Sequence, residues 1–410
     1  MLDDFYIQVD NHGTKNLNKI NLSDNALLTD NEFVLVTKLC DIFIAIDKAA
    51  VQDALAPPSG GIFWSSADKN NGPFSLHMRK DRNEIDHSFL FNTRFRDFPS
   101  IAYEFDEYTP TPDFWVRRYI QLANAMPKRW QVKVPARFGE IGWNVDGYPV
   151  NRLTSINQER LNAMYIANIT THLEKQDCAH LLEIGAGAGE MGYTLCKALP
   201  NCTWFDCDLL GSLVYSAIHL AVLLPEKQHK IYVGQLQLPA EIDESLISRN
   251  PQELTHCQNT VVHIPSFLMD DFVDHLDLHF AYNTYSFGEM PKAAVENYIN
   301  LLANFLKKRG ILLDQNGDFA EKGGTNAPEI LSNQFKQLPW QHNIDSNKAF
   351  LNGPIRIWYN NEMNQYWQNL ADAPALTAVL GSLHVNSDRV DIEYAPEAWG
   401  KIAQLFPCCI

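Results

Sequence analysis

The stretch "LLEIGAGAGE" (residues 181–190) places a carboxylate and three glycines directly behind a short apolar run. Apolar residues that end in glycines and pass into the pattern "EMGYTLCKAL" (190–199) read as a strand, "HLLEI" (180–184), then a tight turn and a helix. The same texture continues downstream. "CTWFDCD" (202–208), "TVVHIPSF" (260–267) and "LDLHFAYNTY" (276–285) read as strands, and "SLVYSAIHLAVLL" (212–224) as an apolar helix. "PKAAVENYINLLANFLKKRG" (291–310) is a helix with Pro291 at its start and Gly310 just beyond its basic last turn. "ILLDQN" (311–316) and "IRIWYN" (355–360) are strands after it, while the spacing of "IYVGQLQL" (231–238) does not decide between a strand and an insertion. Such alternation predicts an α/β fold, a doubly wound and mainly parallel sheet with helices on both faces.

Upstream the pattern is helical. "TDNEFVLVTKLCDIFIAIDKAAV" opens with Thr29 and Glu32 at capping-box spacing and repeats apolar residues at Val36, Leu39, Phe43, Ile46 and Ala50. A second helix starts near Thr111 and Pro112 and stops at Pro127; residues 56–110 between the two read as loops. A third begins at "SINQERLNAMYIANITTHL", where Ser155 and Gln158 fit a second capping box. The expected organisation is a mostly helical region over 1–150 that serves the acceptor, a lid or oligomerisation, a ligand-binding core over 151–362, and a helical extension over 363–410.

The chain has 410 residues, 46% of them hydrophobic, so it can bury more than one core of ordinary domain size. Its formal net charge of −16 argues against nucleic acid or an anionic membrane as partner. The eight cysteines form no CxxC pair, and no cluster has metal-ligand spacing, so metal-independent chemistry is expected. "MLDDFYIQVD" is acidic and lacks the apolar core of a signal peptide, and no apolar stretch is long enough to span a bilayer. A cytoplasmic location follows as the expectation. Self-association into a homodimer is compatible with the chain, though no pattern demands it.

In an open α/β sheet, ligands sit beyond the carboxyl ends of the strands, where the glycines lie. A phosphate loop needs Lys-Ser or Lys-Thr after its glycines, and Glu190 stands there instead. Gly187, Gly189 and Gly192 fit the dinucleotide pattern GxGxxG, but two residues late, and Glu190 at the helix start would repel a pyrophosphate. The pattern in register is acidic-x-Gly-x-Gly-x-Gly: Glu183, Gly185, Gly187, Gly189. Asp206 and Asp208 end the next strand, with Asp208 nineteen positions past Gly189, where an adenosine ribose would be held by its hydroxyls.

That pattern resembles the first motif of class I S-adenosylmethionine-dependent methyltransferases, whose fold is a Rossmann-like doubly wound sheet. Further segments resemble the sugar O-methyltransferase family: "FGEIGWNVDGYPVNRLTSINQERLNAMY" (138–165), "WFDCDLLGSL" (204–213), "AYNTYSFGEM" (281–290) and "ILLDQNG" (311–317). The likeness covers about residues 138–320 and departs at Leu210, where that family carries proline. The resemblance implies S-adenosyl-L-methionine as cofactor, bound by Glu183, the three glycines, Asp206, Asp208 and Asn283. It also implies O-methylation of a hydroxyl on a sugar, a glycosylated acceptor or a natural product. A peptide or carboxylate acceptor, an NAD-dependent oxidoreductase and an inactive scaffold remain as alternatives.

Methyl transfer to a hydroxyl needs alignment and removal of a proton, and the loop after the fourth core strand is the place for both. Glu289 is the candidate general base, with Tyr285 or Ser286 orienting the acceptor; the alternative is that Glu289 caps the helix after Pro291. His263 is a second candidate base, against the plainer role of a core histidine. Asp314 and Asn316 are candidates for the acceptor pocket or for a turn. Trp143 and Asn144 are candidates for a lid, against simple packing of Trp143 onto the sheet.

Overall fold

The strand at the glycines lies near the middle of a single nine-stranded sheet in the computed structural model. The structure describes residues 29–52, then 119–338 apart from 121, 125, 136, 138–142, 151, 257, 307–309 and 317–323, and finally 355–360. Thr111, Pro112, the loops of 56–110, the side chains of Trp143 and Asn144 and the extension over 363–410 lie outside the described residues.

In chain order the elements are α1 (Asp30–Gln52), a hairpin of β1 (Trp143–Val145) and β2 (Tyr148–Val150), α2 (Arg152–Ile166) and α3 (Ile169–Glu174). There follow β3 (His180–Ile184), α4 (Glu190–Ala198), β4 (Thr203–Asp208), α5 (Leu210–Leu223), β5 (Gln228–Tyr232), β6 (Ile247–Ser248), α6 (Pro251–Thr255) and β7 (Thr260–Pro265). The last are β8 (Phe280–Thr284), α7 (Ser286–Glu289), α8 (Lys292–Phe305), β9 (Ile311–Gln315), α9 (Ala327–Leu331), β10 (Phe335–Gln337) and β11 (Arg356–Asn360).

The sheet order is β10-β11-β9-β8-β3-β4-β7-β5-β6. From β9 through β6 every pairing is parallel, and only β11, against β9 and β10, runs the other way. The expected doubly wound sheet is therefore found. The chain leaves β3 toward β4 and β7, then returns to β8 on its other side, so the winding reverses between β3 and β8. A crevice opens at the strand ends where such a reversal occurs.

Alternation along the strands divides two cores. Leu182, Ile184, Phe205, Val262, Ala281 and Leu312 face one, with α1 and most of α5. Leu181, Trp204, Val261, Phe280, Tyr282, Ile311 and Leu313 face the other, with α2 and α4. Neighbours of opposite face are both buried, as a parallel sheet covered on both sides requires. The predicted apolar face of α1 is buried at all five positions, and the Thr29–Glu32 capping box closes in both directions. α1 packs against α5, so part of the N-terminal region belongs to the core of the sheet.

Three sequence expectations shift. The second capping box does not form, because α2 already starts at Arg152 and Gln158 turns its amide to the backbone of Val132 and Trp130 and to Asn162. That helix also breaks at Asn168, whose φ of 60° lies in the left-handed region that asparagine tolerates. β8 begins at Phe280, not Leu276, since the amides of Leu276 and Leu278 bond to Phe272 and Phe305 outside the ladder. The undecided 231–238 segment resolves as β5, a strand paired in parallel to β7, for its first two residues only.

Candidate functional site

The turn from β3 to α4 winds through three left-handed residues, Gly185 (φ 77°), Gly187 (φ 59°) and Gly189 (φ 76°). A β-carbon built on Gly185 would stand 2.3 Å from the Ser286 hydroxyl oxygen, so this backbone touches the start of α7. The Gly185 amide donates to the Cys207 carbonyl at 2.8 Å, and the Gly187 amide donates to Asp208 Oδ2 at 3.0 Å. Asp208 Oδ1 accepts from the Leu209 amide at 2.7 Å. The carboxylate ending β4 thus steadies both the glycine turn and the entry to α5, and it keeps partial exposure at the crevice.

The other two acids lie deeper. Strand register sets Tyr282, Glu183, Asp206 and His263 side by side across β8, β3, β4 and β7. All four are buried. Asp206 Oδ2 accepts from the Ser216 hydroxyl at 2.5 Å and meets His263 Nδ1 at 2.9 Å. His263 Nε2 faces His229 Nδ1 at 3.5 Å, with the two rings stacked at 13°. Burial, then the neighbouring His263, lowers the His229 pKa to about 3. Burial is also the main reason that the Glu183 carboxyl titrates well above the usual range, and the Asp206 charge beside it adds to this. Glu183 Oε2 and Asp206 Oδ1 have no hydrogen-bond partner.

α2 lays a cation over this row. Arg160 is 2% exposed. It donates from Nε to Gln315 Oε1 and from Nη1 to Asn157 Oδ1, both at 2.7 Å, and Nη2 is buried without a partner. Its guanidinium lies 5.0 Å from the Tyr285 ring centroid and 5.9 Å from that of Tyr282. Asn157 in turn donates to Glu190 Oε2 at 3.2 Å, in the first turn of α4.

On the other side of the crevice the tip of β8 is pinned by amides. Asn283 Nδ2 donates to the Ile184 carbonyl at 2.8 Å and to Ser286 Oγ at 2.6 Å, while Asn283 Oδ1 accepts from Asn316 at 2.7 Å. Asn316 also accepts the Gly288 amide at 3.1 Å. Tyr285 holds φ 67° and ψ −36°, unusual for a bulky residue, and its amide donates to Gln315 O at 3.0 Å. Glu289 is exposed at the end of α7. Below them Asp314 pairs with Arg356 at 3.3 Å, and burial raises its pKa to about 6.

The structure therefore gathers Glu183, Gly185, Gly187, Gly189, Asp208, Tyr285 and Ser286 around the reversal of winding, with Glu289 exposed three residues beyond Ser286. Asp206 and His263 bond to each other within the sheet, and Asn283 bonds to the neighbouring strand tips. No family model matches the chain, and no curated protein does. Among solved structures it is similar to a precorrin-6y C5,15-methyltransferase from Geobacter metallireducens: 14% identity over 48% of this chain and 87% of that one, TM-score 0.29. A TehB-like SAM-dependent methyltransferase from Corynebacterium glutamicum gives 12% identity over 50% and 95%, TM-score 0.31. The O-methyltransferase TomG from Streptomyces achromogenes, solved in complex with SAM, gives 11% over 48% and 80%, TM-score 0.28. Likeness at this level assigns no residue a role, so chemistry rests on the site.

Sequence reasoning missed Arg160, Asn157 and Gln315. The available signal was α2 itself, which carries polar residues around its circumference yet is buried from Thr154 to Met164. Among the described residues no group of His, Cys, Asp and Glu could hold a metal ion, and no helix is long and apolar enough to cross a membrane.

Proposed function

We propose that the chain is an S-adenosylmethionine-dependent O-methyltransferase acting on a hydroxyl of a sugar, a glycosylated acceptor or a natural product. One observation carries the cofactor: a left-handed glycine turn at the reversal of winding, flanked by a buried carboxyl with an unpartnered oxygen and followed by an acid instead of a lysine. Such a cradle suits a phosphate-free ligand with a cationic end. The residues fit S-adenosylmethionine on that ground. Glu183 would face its ammonium, the glycine turn would leave room for its chain, and Asp208 would meet the ribose hydroxyls. When bound, it supplies an electrophilic methyl group on a sulfonium.

The chain's own contribution is alignment and proton transfer. Glu289, exposed at the rim, is the group that would take the proton of the acceptor hydroxyl. Tyr285, held in an unusual backbone conformation above β9, would border the acceptor. The sugar class is supported by the family resemblance over 138–320, and the acceptor side is otherwise open to a peptide or carboxylate.

One observation favours the rival NAD reading. A β-carbon on Gly192 would stand 2.6 Å from Trp204 Nε1, and close helix–strand packing is the usual task of the third glycine in GxGxxG. Calorimetric titration with adenosylhomocysteine and with NAD separates the two. Binding of NAD alone would discard the methyltransferase. With methyl transfer from labelled cofactor as readout, Glu289→Gln should lower turnover roughly 100-fold, within the usual range for losing a general base, and leave adenosylhomocysteine affinity unchanged. Unaltered turnover would remove Glu289 from the mechanism.

A further inference from the structure

The methyltransferase reading leaves Arg160 without a task, and its surroundings define one. An arginine has five donors and a charge that it keeps at every relevant pH. Here two of those donors meet neutral amide oxygens, and Nη2 meets nothing. Among the described residues no carboxylate lies within ion-pair distance of it. Asn157, which accepts from Nη1, passes its own amide on to Glu190. A guanidinium buried to 98% and lacking an anion is costly, and proteins retain that arrangement where something else supplies the negative charge. The two tyrosine rings hold the guanidinium plane without neutralising it.

The opposite deficit lies close by. Glu183 is a buried acid with an unpartnered oxygen, near enough to Arg160 to feel its charge yet not bonded to it. An unpaired buried cation and an unpaired buried acid, on the same face of the sheet and beside one turn, complement a molecule that carries both charges on neighbouring atoms. That is the chemistry of an α-amino acid zwitterion.

We propose that Arg160 is the carboxylate-binding half of a zwitterion subsite, with Glu183 as its ammonium-binding half, and that the pair receives the amino-acid end of the cofactor. This rests on the methyltransferase reading and assigns it a residue outside the glycine motif, contributed by the helix before the first core strand. The neutral amides of Asn157 and Gln315 hold the guanidinium in place without competing for its charge.

The test compares three adenosyl ligands by calorimetry: adenosylhomocysteine, its decarboxylated analogue, which keeps the ammonium, and methylthioadenosine, which lacks both groups. A charge-assisted hydrogen bond of ~1.5–3 kcal/mol corresponds to roughly 10- to 100-fold in affinity. Wild-type protein should therefore bind adenosylhomocysteine at least tenfold tighter than the decarboxylated analogue. Arg160→Met should erase that difference and leave methylthioadenosine binding unchanged, and Arg160→Lys should restore part of it. Equal affinity of the wild type for the first two ligands overturns the proposal without any variant having to fold. So does an equal loss of adenosylhomocysteine and methylthioadenosine binding in Arg160→Lys, which would mark a merely structural arginine. Binding of methylthioadenosine with no gain from the amino-acid end would sink the subsite alone, whereas no binding of any of the three would sink the methyltransferase reading with it.

Discussion

Gly185→Ala separates the two reasons for a glycine at the head of the turn. At φ 77° an alanine occupies the left-handed region at a cost of ~1–2 kcal/mol. Its β-carbon would also stand 2.3 Å from Ser286 Oγ and 2.5 Å from Ser286 Cβ, and overpacking of that kind costs ~1–3 kcal/mol. Together these give a destabilisation of roughly 2–5 kcal/mol. Ser286→Gly deletes both colliding atoms, leaving only the Ser286 Cα at 4.0 Å, which is ordinary contact. In that background the same Gly185→Ala change should cost only the backbone part. Urea denaturation of the wild type, the two single variants and the double variant then yields a coupling of about 1–3 kcal/mol. Equal costs in the two backgrounds would refute the contact between the turn and α7. A total below about 1 kcal/mol would refute the left-handed conformation too.

Gly192→Ala should lower the melting temperature although alanine favours helix by ~1 kcal/mol, because its β-carbon would meet the buried Trp204 indole at 2.6 Å; a raised melting temperature would show that the helix sits farther from β4. Glu183→Gln should leave the ligand-free protein as stable as the wild type or more so at pH 8, while the stabilisation by adenosylhomocysteine shrinks, both read by thermal shift. The sign follows from a folded pKa above the unfolded one: the wild type loses stability as pH rises from the ordinary glutamate range toward the folded value, and glutamine does not. Asp314 obeys the same sign with a defined window, since its folded pKa of about 6 lies above the usual 3.8. Folded-state stability should fall by up to ~3 kcal/mol between about pH 4 and 6 on this account. Asp314→Asn should flatten that part of the melting-temperature profile, and identical slopes in the two proteins would exclude the carboxyl as their source.

What could be read from the chain was local. The Thr29–Glu32 box, the five buried positions of α1 and the strand-turn-helix of the glycine motif depend on neighbours within a few residues, and all stand where expected. Asp206 and Asp208 look equivalent as letters. They differ because one register position pairs with Glu183 and His263 inside the sheet, while the other ends the strand beside Gly187. Ser155 and Gln158 had the right spacing for a cap, and the packing of Val132 against α2 overrode it. For Arg160 the chain offered no more than the polar residues around α2, because its partners Gln315 and Tyr285 arrive from far along the chain.

The amide lacing at the tips of β3, β8 and β9 has an evolutionary corollary. Asn283, Ser286 and Asn316 bind those ends into one lip, from Ile184 to Gly288. A lineage could vary the exposed residues around that lip and still inherit its floor, whereas α1 and β11, which are built into the sheet and its core, would have to stay. Diversification would then proceed by surface change, and an engineer seeking a new acceptor would work above that lip and leave its three polar residues alone.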